Sequence, residues 1–291
     1  MLIIDRLSKR YANGVQALKS VSLSIPSGMF GLLGPNGAGK STLMRILATL
    51  QDADGGSVRL GDLDELAQRT EARKILGYLP QDFGFDPRAT PLSLLDLFAI
   101  LKGMEDSDDR RRAVDAMLAR VNLWEVRKRR FSEMSGGMRQ RFGIAVALLG
   151  APELLIVDEP TAGLDPAERR RFHNLLAEVA EEAVVILSTH IVEDVRDLCG
   201  RVALIDAGEI VRAGSPAELT RELIGQVWAK RVARAELSAR RAMHDVIAER
   251  IFESDVIIRV HSESQPDASF EPAAPTIEDV YFHHVRREAD A

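Results

Sequence analysis

A glycine-rich run near the N-terminus has the residue types and spacing of a phosphate-binding loop. Its sequence, which matches G-x-x-x-x-G-K-[ST] at every position, is Gly34-Pro35-Asn36-Gly37-Ala38-Gly39-Lys40-Ser41. Glycines allow such a loop to wrap a polyphosphate closely with its backbone N–H groups. The pattern predicts that Lys40 reaches the β- and γ-phosphates of a nucleotide, and that Ser41, with Thr42 as a lesser candidate, ligates Mg²⁺ through its hydroxyl.

Two adjacent acids follow an apolar run much further along the chain. The run LLIVD ends at Asp158, and Glu159 comes next. A buried strand would deliver both acids to its C-terminal end, where open α/β sheets bind their ligands. Because buried carboxylates are costly unless they are used, we expect Asp158 to hold Mg²⁺ and Glu159 to polarise an attacking water as general base. The alternative is a plain pair of acids that faces solvent at the end of a strand.

The hydrophobic pattern predicts elements that can position these residues. A helix is expected directly after the loop, at 41–49, and the segment from about 91 to 150 is nearly all helical in pattern. Short β-like runs occur at 2–7, 21–25, 30–33, 154–158, 183–187 and 201–206. Because helical sequence lies between the later runs, we predict parallel strands with crossover helices, an α/β core wound in the doubly wound style.

The character of the sequence changes after about residue 216. Short helical and β-like pieces follow, and the stretch 262–275 is polar and contains prolines. Such composition is typical of a linker, here before a last short helix.

With a third loop, the order of the motifs resembles that of a known protein family. Met134-Ser135-Gly136-Gly137-Met138 ends about 20 residues before Asp158. In this position it resembles the signature loop of the ATP-binding cassette (ABC) nucleotide-binding domain, whose generic form begins with Leu and ends with Gln. This copy departs at both Met positions, but it keeps Ser135, Gly136 and Gly137, which can bind phosphate through a hydroxyl and backbone N–H groups.

The resemblance covers residues 1 to about 215 and implies a fold. That fold is a P-loop NTPase (RecA-like) α/β core with an antiparallel β subdomain and a helical signature subdomain at about 90–150. A small α+β extension at 216–291, ending in a short helix, would complete the chain.

The remaining motifs of the family also fall in order, and the resemblance implies a role for each. Tyr11 resembles the aromatic residue on which adenine stacks. Gln81 resembles the loop glutamine that contacts Mg²⁺ and the attacking water, and His190 resembles the switch histidine at the γ-phosphate. Gly163-Leu164-Asp165 resembles the loop that contacts a second subunit. Taken singly, an ordinary strand-end tyrosine, a turn glutamine and an incidental histidine are the alternatives.

The distance between the two glycine loops along the chain implies an assembly. In the family, a head-to-tail homodimer sandwiches ATP between the phosphate loop of one copy and Ser135–Gly137 of the other, which gives two symmetric sites. The resemblance therefore implies an ATPase that uses ATP and Mg²⁺ to drive a partner.

Composition limits what that partner is. The formal net charge of −6 argues against nucleic acid as a main partner. The single Cys199 cannot form an internal disulfide, and the chain lacks the Cys/His spacing of a zinc site. The most apolar stretch, 142–157, is interrupted by Pro152 and Glu153, so we expect no membrane span, and the N-terminus does not resemble a signal peptide.

A short run near the C-terminus indicates the kind of ABC protein. It reads Pro275-Thr276-Ile277-Glu278-Asp279-Val280-Tyr281-Phe282. It resembles the Pro-Thr-Leu-Glu-Asp-Val-Phe ending of cassettes that serve ABC-2-type exporters of drugs, antibiotics and polysaccharides. The resemblance implies a separate integral-membrane permease and a place on the cytoplasmic face of the membrane. A terminal amphipathic helix that packs on its own domain, with Ile277, Val280 and Tyr281 buried, is a compatible reading.

Two other functions stay open. One is a soluble ABC ATPase that acts on ribosomes or DNA; the other is the ATPase of an importer. A single cassette with neither a long coiled-coil insertion nor a basic linker favours transport over the first. The permease should dock near the Gln81 loop and the helical insert, where Phe83, Phe85 and Leu92 are apolar, although core packing explains these three equally well.

Overall fold

The N-terminal part of the chain forms an antiparallel sheet. The protein is described here by a computed structural model that covers residues 1–159, 166–189 and 191–285. The strands of this first sheet lie in the order β2-β1-β4-β5. They are β1 (Leu2–Arg10), β2 (Gln16–Ile25), β4 (Gly55–Leu60) and β5 (Leu63–Asp64).

A six-stranded sheet lies at the centre of the fold. Its strands are β3 (Gly28–Leu33), β6 (Leu76–Leu79), β7 (Leu154–Asp158), β8 (Val184–Thr189), β9 (Arg201–Asp206) and β10 (Glu209–Gly214). They lie in the order β10-β9-β3-β8-β7-β6, and all neighbours are parallel except β10 and β9. The α/β core expected from the sequence is confirmed.

Both faces of the central sheet are covered, which explains the unbroken apolar runs of its strands. Alternate residues of one strand enter different cores. Leu154 and Ile156 of β7 pack with the first sheet, whereas Leu155 and Val157 pack with helices on the opposite face. Every residue of β7 and β8 is buried.

Ten α-helices complete the described part of the chain. They are α1 (Lys40–Leu47), α2 (Arg69–Ile75), α3 (Pro91–Leu101), α4 (Ser107–Arg120), α5 (Gly136–Leu148), α6 (Pro166–Ala180), α7 (Val192–Leu198), α8 (Pro216–Arg221), α9 (Leu237–Met243) and α10 (Ile277–His284). Helices α3, α4 and α5 form the helical insert that the sequence predicts. Within the described ranges, no helix combines the length and apolarity needed to cross a bilayer.

The C-terminal part contains a third sheet, which is antiparallel and has the strand order β12-β13-β11-β14. Its strands are β11 (Val227–Ala233), β12 (Asp245–Phe252), β13 (Asp255–His261) and β14 (Glu271–Pro272). As predicted, 262–275 joins β13 to α10 with little regular structure, but part of it packs on the sheet. Phe270 is only 1% exposed in the core of this sheet, and β14 pairs with β11, so one aromatic residue anchors an otherwise polar stretch.

The last helix, α10, packs on the body of the fold. Ile277, Val280 and Tyr281 are buried in the same core as Val195 of α7 and Leu219 of α8. Thr276 caps the helix by accepting a hydrogen bond from the N–H of Asp279, while the Asp279 carboxylate accepts one from the N–H of Thr276. The expectation of a packed amphipathic terminal helix therefore agrees with the structure.

Candidate active site

Several of the residues singled out from the sequence lie at one edge of the central sheet. Strands β3, β8, β7 and β6 are parallel neighbours, so their carboxyl ends share that edge. Leu33 is paired with Thr189, and Asp158 is paired with Ser188. The glycine-rich loop after β3, the acids at the end of β7 and the Gln81 loop after β6 are consequently on one side, where α/β sheets bind ligands.

The glycine-rich loop passes very close to the surrounding backbone. A Cβ atom placed on Gly34 would lie 2.3 Å from the carbonyl oxygen of Ile205, and one on Gly39 would lie 2.5 Å from that of Ala17. Gly39 also has a φ of 105°, in the region that side chains disfavour. Glycine is therefore required at both ends of the loop for it to curl tightly over the start of α1.

The N-terminus of α1 is prepared to bind an anion. Its cap residue, Gly39, has no side chain with which to accept the first helical N–H groups, and the first turn contains no acidic residue. Those N–H groups and the positive end of the helix dipole point to the loop. This arrangement suits a phosphate group at the loop.

Lys40 and Ser41 differ in their surroundings. Lys40 is 6% exposed, and its Nζ donates hydrogen bonds to the carbonyl oxygens of Gly34 and Pro35, at 2.6 and 3.0 Å. Burial lowers the pKa of Lys40, while the charges of Glu159 and Asp158 act in the opposite direction. Ser41 is exposed at the start of α1. The ammonium group is thus held inside the loop beside the two acids.

The two acids at the end of β7 have different geometries. Asp158 is the last residue of the strand and is 5% exposed, and burial raises its pKa. Glu159 has a φ of 48°, a left-handed conformation that costs a non-glycine residue roughly 1–2 kcal/mol. Its N–H donates to the carbonyl oxygen of Ser188, at 2.9 Å. The strand therefore ends at Asp158, and Glu159 has already left the extended conformation.

Tyr11 lies against the first turn of α1. Its hydroxyl is 3.0 Å from Thr42 Oγ1 and donates to Gln51 Oε1, at 3.3 Å. The structure therefore brings Tyr11 and Thr42 to the glycine-rich loop. Gln81 is exposed in the loop that follows β6.

Ser135, Gly136 and Gly137 lie at the start of α5, in the helical insert. Ser135 caps this helix, because its Oγ accepts a hydrogen bond from the N–H of Met138, at 3.2 Å. The first turn of α5 contains no acidic residue. The hydrogen bonds of Ser135 run to its own helix, so within one chain this loop forms the capped N-terminus of α5.

Comparisons with known proteins agree with this geometry. Residues 18–162 match the family described as ABC transporter. The chain is 39% identical over 243 residues to the phosphonates import ATP-binding protein PhnC 1 of Rhodopseudomonas palustris (strain HaA2), in an alignment that covers 78% of this chain and 86% of that protein. It is 33% identical over 258 residues to the daunorubicin/doxorubicin resistance ATP-binding protein DrrA of Streptomyces peucetius, with coverages of 88% and 76%.

This chain belongs to the ABC transporter ATP-binding family. A solved structure of a dimeric ATP-binding cassette in a post-hydrolysis state, bound to ADP and Pi, aligns with a TM-score of 0.67 and 27% identity, over 74% of this chain and 98% of that chain. The cassette is accordingly an ATP-binding subunit of an ABC transporter, and it hydrolyses ATP.

Two of the expected site residues in this ABC cassette lie outside the described residues. They are Asp165, with its neighbours Gly163 and Leu164, and the switch histidine, His190. Ser188 and Thr189, which precede His190, belong to the same edge of the sheet and were not predicted from the sequence. The carbonyl of Ser188 holds the N–H of Glu159, and Thr189 Oγ1 accepts a hydrogen bond from the N–H of Ile191, at 3.0 Å. The polar pair that closes the apolar run VVIL was the available signal.

The apolar residues near the Gln81 loop mostly serve the core of the cassette. The ring of Phe85 lies 4.9 Å from that of Phe131 and 5.0 Å from that of Phe142, and its neighbour Phe83 lies 5.6 Å away. Phe83, Phe85 and Leu92 all pack against the core of the helical insert. Of the two readings left open by the sequence, core packing is the one that these contacts support.

Proposed function

We propose that this cassette drives an ABC-2-type exporter. The observation that carries the proposal is the C-terminal run 275–282, which resembles the ending of exporter cassettes. The similarity to a daunorubicin/doxorubicin resistance protein, over 88% of this chain, supports the same direction. The similarity to a phosphonate import protein supports the alternative, so the direction of transport needs its own test.

The chemistry of the proposed site follows from its donors. Lys40 and the N-terminus of α1 bind the β- and γ-phosphates of ATP, and the ring of Tyr11 stacks on the adenine. The Ser41 hydroxyl, the Asp158 carboxylate and Gln81 supply oxygen ligands, which are the kind that Mg²⁺ prefers. Bound there, Mg²⁺ would neutralise charge on the phosphate oxygens.

Glu159 is the proposed general base. It directly follows Asp158, its N–H donates to the carbonyl oxygen of Ser188, and its charge acts on Lys40 of the phosphate loop. From there it accepts a proton from the water that attacks the γ-phosphate. His190 and Gln81 are proposed to orient the same water and phosphate.

Hydrolysis is proposed to need two copies of the chain. The N-terminus of α5, with Ser135, Gly136 and Gly137, is an anion-binding end that lies on a different element from the phosphate loop. In a head-to-tail homodimer, this end closes over the ATP bound by the other copy, and Asp165 contacts the same interface. ATP then favours the closed dimer, and loss of the γ-phosphate releases it.

The proposed permease contacts the helical insert. Leu97, Ile100 and Leu101 share one face of α3 and are 49%, 49% and 69% exposed. A groove of about 510 Å³ lies in the same insert and is lined by residues that include Leu92, Asp96 and Trp124. Exposed apolar residues at helical spacing beside a polar groove suit a helix or loop of a membrane subunit. We propose that this contact holds the cassette on the cytoplasmic face of the membrane and that nucleic acid is not its partner.

The proposal is tested by the identity of the partner and the direction of transport. The Glu159→Gln chain is purified from its native membranes in mild detergent with ATP, to hold the closed dimer. We expect this preparation to contain a multi-helix permease of the exporter class, and we expect inside-out vesicles that carry the wild-type chain to take up its substrate in an ATP-dependent manner. Recovery with ribosomes, or with an import permease and an external binding protein, would overturn the exporter assignment.

A further inference from the structure

Three potential metal ligands meet in the C-terminal part, far along the chain from the ATP site. Asp245, His261 and His283 each offer one ligand atom, and these atoms all lie within 4.8 Å of one another. They come from β12, β13 and α10, respectively. The sequence spacing gave no sign of this cluster.

The fold determines the meeting of the first two ligands. Asp245 and His261 are directly paired across the antiparallel strands β12 and β13. Directly opposite side chains of such a pair are close neighbours, and here Asp245 Oδ2 lies 3.7 Å from His261 Nδ1. The carboxylate and one imidazole nitrogen therefore already face each other.

The third ligand comes from the terminal helix. The ring centroids of His283 and His261 are 4.2 Å apart. Both imidazole rings are partly buried. His284, the next residue, is turned elsewhere, because its Nε2 lies 3.6 Å from a carboxylate oxygen of Glu222.

A fourth side chain orients His261. The amide oxygen of Gln226 lies 3.0 Å from His261 Nε2, so that nitrogen donates its proton to the amide. The lone pair then resides on Nδ1, the nitrogen that faces Asp245. A hydrogen bond that fixes the tautomer of a histidine in this way is typical of metal sites.

We propose that Asp245, His261 and His283 bind a divalent transition-metal ion of the zinc class, with water completing the coordination. Two imidazoles and one carboxylate suit zinc and its neighbours, whereas Mg²⁺ requires oxygen ligands. A tetrahedral ion with bonds of about 2.0–2.1 Å holds its ligand atoms roughly 3.4 Å apart, so small side-chain rotations close the site. The Asp245 side chain is 66% exposed, which leaves an entry path from solvent.

The bound ion fastens α10 to the third sheet. Helix α10 also contacts α7 and α8, and α7 follows β8, whose carboxyl end borders the ATP site. A metal ion at this position stabilises the folded chain, because its ligands meet only in the folded state.

Calorimetric titration of the full-length, nucleotide-free chain with Zn²⁺ tests the site. The titration uses an Asp158→Asn background, which removes a carboxylate of the ATP site as a competing ligand. We expect His261→Gln and Asp245→Asn each to weaken binding of one Zn²⁺ at least about tenfold. The matched control is His244→Gln, since the His244 ring packs on Phe270, with centroids 5.0 Å apart.

Thermal unfolding provides a second measurement. Zn²⁺ should raise the melting temperature of the parent chain and of His244→Gln, but not that of the two ligand variants. Mg²⁺ should not bind at this site, so it should cause no such difference between the chains. Circular dichroism establishes that each variant is folded; if His261→Gln is not, the exposed Asp245→Asn decides. Equal Zn²⁺ affinity in the parent and the ligand variants would mean adventitious binding and would overturn the proposal.

Discussion

Two buried aspartates in this chain differ in how far their surroundings compensate for the burial of the carboxylate. Asp279, at the start of α10, is fully buried, and its carboxylate receives two hydrogen bonds from Arg259 and two from Thr276, each between 2.7 and 2.9 Å. Asp158, at the end of β7, is 5% exposed, and burial outweighs its favourable interactions, so its pKa is raised.

The difference separates a structural carboxylate from a functional one. A buried charge that is fully paired holds two elements together, here β13 and α10. A buried carboxylate whose folded surroundings disfavour its charge is instead typical of a site that a cation completes. The fold therefore disfavours the charged form of Asp158 at the ATP site, whereas hydrogen bonds from Arg259 and Thr276 compensate for the burial of Asp279 in the C-terminal part.

The largest expected effect is on hydrolysis. Glu159→Gln keeps the shape of the proposed base but cannot accept a proton, so phosphate release should fall about 10²–10⁴-fold. ATP binding should persist, and the variant should accumulate as a dimer with ATP in light-scattering measurements. Glu153→Gln, at the exposed opposite end of the same strand, is the control and should hydrolyse ATP normally. Full activity in Glu159→Gln would remove Glu159 as the base.

The two aspartates themselves should give opposite results when each is changed to asparagine. Asp279→Asn leaves Arg259 without its anionic partner and should lower the free energy of unfolding by about 3 kcal/mol. Asp158→Asn should leave that free energy unchanged or raise it, while it abolishes most ATP hydrolysis. Denaturant titration and phosphate release measure the two properties.

An exposed ion pair on the third sheet provides the control for Asp279→Asn. Asp255 accepts a hydrogen bond from Arg231, but their side chains are 31% and 49% exposed. Asp255→Asn should cost no more than about 1 kcal/mol. Equal losses for Asp255→Asn and Asp279→Asn would show that burial does not distinguish these pairs.

A third buried acid extends the comparison to pH. Glu65 is 2% exposed, and burial, with a smaller effect of Asp64, raises its pKa from 4.5 to about 7. Because the folded pKa lies above the unfolded one, the stabilisation is complete below pH 4.5 and is lost as the pH rises through about 7. The loss amounts to about 3 kcal/mol.

Glu65→Gln should remove this pH dependence. The stability of the variant relative to the wild type should be clearly greater at pH 8 than at pH 5. Free energies of unfolding at the two pH values measure this difference. Glu71→Gln, on the exposed side of α2, should show no such change. The same difference between variant and wild type at both pH values would contradict the pKa shift of Glu65.

The sequence revealed the ATP site better than the C-terminal part, for a physical reason. The phosphate loop and the strand that ends at Asp158 are local patterns, in which adjacent residues dictate backbone and burial. The ion pair of Arg259 and Asp279 joins residues that only packing brings together. Likewise, Phe270 sits in a polar stretch whose average composition hides its burial. The left-handed turn at Glu159 also depends on its contact with Ser188, which no local pattern shows.

The smallest expected effect concerns two serines that cap helices in the two regions. Ser135 caps α5 beside the signature glycines, and Ser215 caps α8 in the C-terminal part, where its Oγ accepts from the N–H of Glu218, at 3.2 Å. Replacement of either by alanine should cost about 1 kcal/mol of stability. The two variants should therefore lose the same stability, and any further difference between them reflects the binding of ATP.

Only Ser135→Ala should change catalysis. If its hydroxyl also binds the γ-phosphate in the dimer, its loss should raise the KM for ATP about tenfold, which is the usual size for a hydrogen bond to a charged group. Ser215→Ala should leave KM unchanged, because Ser215 is not among the residues proposed to bind ATP. Equal KM values in the two variants would reduce Ser135 to a helix cap and would leave the backbone N–H groups of Gly136 and Gly137 as the phosphate ligands of that loop.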